Sequence, residues 1–154
     1  MGSDESEVEA LAVPECWALL RTSRVGRLAV WVDDHPDIFP LNYVVDHGTI
    51  VFRSGTGTKV SAALSDAPVA LEVDGYEDAS HHVWSVVVKG HAEGICEIDE
   101  LMNTVYLPLF PWQAGAKDLF IRIVPTRVTG RRFPVAEPAT WQIPFWNAKH
   151  SPFE

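Results

Sequence analysis

Cysteine is scarce, basic charge is in deficit, and no apolar run is long. The 154-residue chain has two cysteines, Cys16 and Cys96, with no CxxC and no metal-ligand spacing. They read as reduced core thiols rather than as a disulfide or zinc ligands. Lys and Arg total 12 against 21 Asp and Glu, a net charge of −9. Nucleic acid or an anionic membrane would have to bind against that field, so neither is an expected partner. No stretch approaches the length of apolar residues that a membrane-spanning helix needs. The opening run MGSDESEVEALAV is acidic and polar, without the basic start and apolar run of a signal peptide, so the expected location is cytoplasmic.

What is present is an ordinary globular composition, 47% apolar and 21% charged. At this length one domain with a substantial core is expected. Residues 1–12 read as a frayed acidic start. A helix opens at Pro14, with Cys16, Trp17, Leu19 and Leu20 on its apolar side, and ends near Ser23. The period then changes to two. Strands are expected over Gly26–Val32 and Ile38–Val45, with Pro40 marking a bulge or an edge, and over Ile50–Arg53 after a tight Asp46-His47-Gly48 hairpin. A short helix is expected over Lys59–Leu64, a fourth strand over Val69–Asp74, and a loop over Gly75–His82. Trp84–Cys96 reads as a long strand with a bulge at Gly90. A helix over Asp99–Tyr106 and a loop over Leu107–Gly115 follow. Leu119–Val124 and Arg127–Phe133 are expected to form a last antiparallel pair turning at Pro125-Thr126. About seven hairpin-joined strands with three short helices favour a mainly antiparallel β-barrel or sandwich over a Rossmann sheet.

The segment richest in chemistry is Arg53-Ser54-Gly55-Thr56-Gly57-Thr58-Lys59. It leaves a strand, bends through two glycines and enters a helix. Glycines let backbone amides approach an anion, and a helix start adds partial positive charge. Arg can grip a phosphate through two parallel hydrogen bonds, while Lys acts as a mobile point charge. The residues support phosphate binding; a glycine-rich turn with solvated charges is the alternative. The spacing is neither a P-loop nor GxGxxG.

The runs GRLAV (26–30), PLNYVVDHGTIVFRSGTGTK (40–59), PVALEVD (68–74), WSVVVKGHAE (84–93) and IRIVPTRVTGRRF (121–133) resemble, in order and spacing, the pyridoxamine 5′-phosphate oxidase-like family of flavin-binding split barrels. More narrowly they look like its nitroimidazole-resistance-type branch. The resemblance implies a six- to seven-stranded antiparallel split barrel over 13–133, flanked by the acidic start 1–12 and an aromatic, Pro-rich tail 134–154. It implies a homodimer with flavin sites at the subunit interface. It also implies that Arg53 and Lys59 hold the FMN phosphate, helped by Ser54 and Thr58. Asn42 and Tyr43 would lie beside the ring, often through main-chain groups, and Trp84 and Ser85 would approach the flavin or the interface. Val83, preceded by His81 and His82, stands where the family often has Gly.

No catalytic side chain is singled out, and no metal is expected. His81 and His82 are neighbours on an extended chain and face opposite ways. His91 reads as a satisfied barrel histidine, and Asp33, Asp34 and Asp37 as turn residues. Glu72 and Asp74 alternate with apolar residues as a sheet rim would. Trp112, Trp141 and Trp146 suit interface or core packing, with Trp112 a candidate pocket wall. Arg127, Arg131 and Arg132 form the other basic cluster, either solvated or a second anion contact. The implied activity is an FMN-dependent oxidoreductase acting on a small molecule, with a nicotinamide compound as possible electron donor. The alternatives are a deazaflavin-dependent reductase on the same fold and a non-catalytic flavin or haem carrier.

Overall fold

The computed structural model describes residues 8–54, 67–95 and 119–135. Along the chain these form β1 (Glu9–Leu11), α1 (Val13–Thr22), β2 (Val25–Val32), β3 (His35–Asp46), β4 (Thr49–Ser54), β5 (Val69–Glu77), β6 (His82–Gly94) and β7 (Leu119–Pro134). Neighbouring strands run in the order β1-β7-β4-β3-β2-β5-β6, and β6 pairs again with β7. That second pairing closes six strands into a barrel, with β1 added outside the ring. Every pairing is antiparallel.

Strict alternation fills the barrel. Leu28, Val30, Leu41, Tyr43, Ile50, Phe52, Leu71, Val73, Trp84, Val86, Val88, Ile121 and Ile123 are all buried in one cluster. Their sequence neighbours therefore face outward. Helix α1 packs on this cluster through Cys16 and Leu20, one turn apart and both fully buried. Burial pushes the Cys16 thiol up from its ordinary pKa. Pro14 sits in the first turn of α1, as expected. The Tyr43 hydroxyl donates to the Leu20 carbonyl at 2.7 Å, which pins the last turn of the helix to β3.

Two hairpins close on two-residue turns that need left-handed backbone. Asp33 and Asp34 have φ of 46° and 68°, and His47 and Gly48 of 47° and 72°. Such turns match the right-handed twist of the strands they join. Among the described residues Pro40 lies where β3 pairs with β2 alone, because the β4 pairing starts only at Tyr43. The expected edge position is therefore real, and the missing N–H costs no ladder bond.

Three expectations change. The acidic start is not wholly frayed: Glu9–Leu11 pairs with Gly130–Arg132 as β1. The loop expected over Gly75–His82 shrinks to residues 78–81, because β5 runs to Glu77 and β6 begins at His82. Gly75 belongs in the strand for a steric reason: a Cβ there would lie 2.6 Å from the Trp84 ring. The expected last hairpin is instead one continuous strand, β7, paired with β6 from Ile121 to Pro134. Lys89 faces Arg127 and Gly90 faces Pro125, so Thr126 is an extra residue in a bulge. The bulge shifts the alternation by one. Ile121 and Ile123 point inward before it; Val128 packs on the core after it, and Gly130 sits against Cys16. The broken period imitates a turn. The helices expected over Lys59–Leu64 and Asp99–Tyr106, the loop over Leu107–Gly115 and the aromatic tail beyond Val135 lie outside the described residues, while Pro134, expected to open that tail, ends β7.

Candidate functional site

Tyr43 and Phe52 face each other across the β3–β4 hairpin and point into the barrel. The adjoining residues, Asn42 and Arg53, therefore point outward at the same level. Both are half-buried, as is Ser54 at the end of β4. Arg53 faces Phe120 on β7, and its guanidinium carbon lies 5.2 Å from the centre of the Phe120 ring. A cation over a ring face at this range is favourable by about 0.5–1 kcal/mol at an exposed site, and the ring also orients the guanidinium plane. An amide and a guanidinium thus share the outer face where β4 runs out into Gly55–Lys59, and Ser54 follows Arg53 on the opposite face at the strand end. Thr58 and Lys59 lie outside the described residues.

Tyr43 is otherwise occupied. Burial pushes its phenol up from its ordinary pKa, its hydroxyl is taken by Leu20, and its N–H donates to the Arg24 carbonyl at 3.0 Å. Trp84 is 5% exposed with its ring inside the barrel against Gly75, so it supports the site's scaffold from within.

Ser85 lies elsewhere. It faces Arg131 on β7, whereas Arg53 faces Phe120, eleven residues earlier on the same strand. That is about 35 Å of extended strand. Within one chain the structure puts Asn42 and Arg53 on one outer face, with Ser54 next to Arg53 at the strand end, and sets Ser85 apart. The Ser85 hydroxyl donates to Glu72 at 3.2 Å, and Arg27 reaches Glu72 at 3.1 Å and Asp74 at 3.4 Å. Glu72 and Asp74 thus form the outer rim expected of them, with Arg27 as a partner that linear spacing did not reveal.

The basic cluster at 127–132 also divides. Arg132 turns to the end of the barrel, where it meets Glu77 at 3.1 Å, Glu15 at 3.7 Å and Glu9 at 3.9 Å. This hub ties β1, α1, β5 and β7 together. The Ser80 hydrogen bond and Arg132 hold the Glu77 carboxyl below its usual pKa. Arg127 and Arg131 are exposed. His91, expected inside, is exposed on the outer face of β6. His81 pairs through Nδ1 with the Tyr76 hydroxyl at 2.9 Å. Among the described residues no three His, Cys, Asp or Glu side chains are placed to hold a metal ion, and no helix is long and apolar enough to cross a membrane.

A second charged group, also missed, sits on the same outer face as Arg53. Arg122 donates to Asp46 at 2.9 Å and to Thr49 at 2.6 Å, with side-chain exposures of 17% and 21% for the ion pair. The alternation of Phe120-Ile121-Arg122-Ile123 could have placed Arg122 outside the barrel, but not opposite Asp46, which is 76 residues away.

Residues 12–132 match the pyridoxamine 5′-phosphate oxidase family. The chain belongs to that family. A crystal structure from Corynebacterium glutamicum, provisionally named as such an oxidase, is 36% identical with a TM-score of 0.77 over 88% of this chain and 99% of its own. An FAD-binding protein from Mycobacterium smegmatis is also 36% identical, with a TM-score of 0.70 over 82% of this chain and 98% of its own. A Bacteroides thetaiotaomicron protein, provisionally named for 5-nitroimidazole resistance, shares the fold at 14% identity and a TM-score of 0.65, over 82% of this chain and 89% of its own. The six-stranded antiparallel barrel with β1 beside it agrees with the six- to seven-stranded split barrel expected from the sequence.

Proposed function

We propose that this chain binds a flavin by its phosphate and serves as a flavin-dependent oxidoreductase on a small molecule. The carrying observation is that Asn42 and Arg53 share one outward face at the end of β4, with Ser54 the last residue of that strand, immediately before the sequence Gly55–Lys59. The donor set suits a phosphate ester. It offers a guanidinium fixed over Phe120, a hydroxyl and an amide, and the Asp46 carboxylate on that face is already matched by Arg122. Arg53 would hold two phosphate oxygens, Ser54 would donate a third bond, and Lys59 would add a mobile charge. Bound flavin would supply the hydride and electron chemistry, so the chain itself need not present an acid–base pair.

FMN is the first choice of cofactor. The similarity to an FAD-binding protein at 36% identity favours FAD as the second reading, with a deazaflavin behind it. In a homodimer, the Ser85 side of one copy and the Arg53 side of the other could face a single flavin, as they cannot within one chain. Flavin fluorescence titrations with FMN and FAD test the assignment. Losing one charge-assisted contact of about 1.5–3 kcal/mol should weaken binding about tenfold to a hundredfold. Arg53→Ala and Lys59→Ala should each show that loss. Unchanged affinity in both variants would remove the phosphate assignment. Reduction of the bound flavin by a nicotinamide donor, then reoxidation by an organic acceptor, distinguishes an enzyme from a carrier.

A further inference from the structure

The outer face of β4 and β7 carries a small apolar patch separate from the barrel core. Val51 and Ile95 are buried there, with Val44 and Phe120 packed against them. Alternation explains the separation. Ile50, Phe52 and Ile121 point into the barrel, so Val51, Arg53 and Phe120 point out. Phe120 is fixed through its main chain as well. It faces Arg53 in the β4–β7 ladder, and its carbonyl accepts the Ile95 N–H at 3.0 Å. The ring is therefore bedded on apolar side chains. Its neighbour across the ladder is a cation, whose guanidinium carbon lies 5.2 Å from the ring centre.

Arg122 gives the contrast on the same face. It stands opposite Val51 and is held by the Asp46 carboxylate at 2.9 Å. A carboxylate orients a guanidinium by neutralising it. A ring orients it through the quadrupole of the π-system and supplies no oxygen, so one guanidinium can hold an oxyanion and lie over a ring at once. A long arginine side chain also loses rotamer freedom when it grips a ligand. Holding the side chain in place beforehand lowers that cost.

We propose that Phe120 is a positioning residue for the flavin phosphate: its ring pre-orients the Arg53 guanidinium, and so favours a flavin that ends in a phosphate over one that ends in a hydroxyl. The inference rests on the reading that Arg53 holds the phosphate, and it adds a residue far in sequence from the glycine-rich segment. Phe120 acts through Arg53 and not on the ligand itself.

The test is fluorescence titration of the full-length protein with FMN and, separately, with riboflavin, which has the same ring and no phosphate. Phe120→Leu keeps an apolar side chain in the patch and removes the ring. It should weaken FMN binding about two- to fivefold and leave riboflavin binding unchanged. Phe120→Tyr, which keeps the ring, should bind FMN as the unaltered chain does. In an Arg53→Ala background, Phe120→Leu should cause no further loss. Urea midpoints check that each variant is folded, and Phe120→Met takes the place of Phe120→Leu if that chain is not. Equal losses for FMN and riboflavin, or a loss that persists in full without Arg53, overturn the proposal by making Phe120 scaffold alone. The two readings fail separately. A preference for FMN that depends on Arg53 but not on Phe120 overturns this inference and leaves the phosphate assignment standing. A preference that survives Arg53→Ala undiminished removes both.

Discussion

At the scale of single residues, two glycines are required for opposite reasons. Gly48 has φ of 72°, and a Cβ added to it would meet no atom within 4 Å, so its need is conformational. Gly48→Ala should cost about 1–2 kcal/mol, the penalty of left-handed backbone. At Gly90 a Cβ would meet the Val124 carbonyl oxygen at 2.1 Å and its carbon at 2.9 Å. Those are backbone atoms held in the β6–β7 ladder and cannot swing away. Gly90→Ala should therefore cost about 3 kcal/mol or more, the upper end of overpacking penalties. Urea midpoints for the two variants check the order; equal losses, or a larger loss at Gly48, would contradict the steric account. Gly90 was legible as a bulge because it breaks an apolar run. The identity of the atom it must avoid was not, because Val124 approaches only once the barrel has closed.

At the scale of elements, the hairpin of β3 and β4 is held to β7 by Arg122. Burial alone would raise the Asp46 carboxyl, but hydrogen bonds from Arg122 and His47, with their charges, hold it below its usual value. A depressed carboxyl pKa contributes stability that is fully present above the unfolded value of about 3.9 and is lost as pH falls through the lower folded value. The hairpin should thus loosen only in acid, below about pH 4. Asp46→Asn should flatten that part of the stability–pH curve and, by leaving a half-buried guanidinium short of a partner, cost about 2 kcal/mol at neutral pH. An unchanged acid limb in this variant would exclude Asp46 as its source. Strand positions were mostly legible from alternation, and so was the opening of α1 at Pro14. The two halves of β7 misled because Pro125-Thr126 carries the residues of a turn. Pro125 is accommodated because on that edge of β7 the β4 pairing reaches only Ile123 and the β1 pairing covers Gly130–Arg132, leaving the edge unpaired between them among the described residues. The Arg53 cluster was half legible in the same way. Linear order placed Arg53, Ser54 and the glycines together, but the Phe120 ring beneath the guanidinium comes from a strand far along the chain.

At the scale of the whole molecule, the barrel is unevenly knit. Ile121 and Ile123 sit in β7 with β4 on one side and β6 on the other. Among the described residues the outer part of the β2–β3 hairpin has no such support. The β5 pairing of β2 spans only Arg27–Ala29, and the β4 pairing of β3 begins at Tyr43. Among the described residues, Val30–Val32 and His35–Asp37 therefore pair only with each other, as a two-stranded ribbon beyond the ring, and such ribbons are marginal by themselves. This region carries Trp31, 55% exposed, and Ile38, 64% exposed. Native-state hydrogen exchange should rank these levels of support. Amides of Ile121 and Ile123 should open only with global unfolding, and those of the ribbon should exchange through local fraying many-fold faster. Protection in the ribbon equal to that in β7 would contradict a free hairpin, because a pair of strands with two open edges cannot supply it. Dilution then separates the causes. Protection that falls with protein concentration comes from a second copy covering Trp31 and Ile38, and protection that does not fall comes from the chain's own remaining residues.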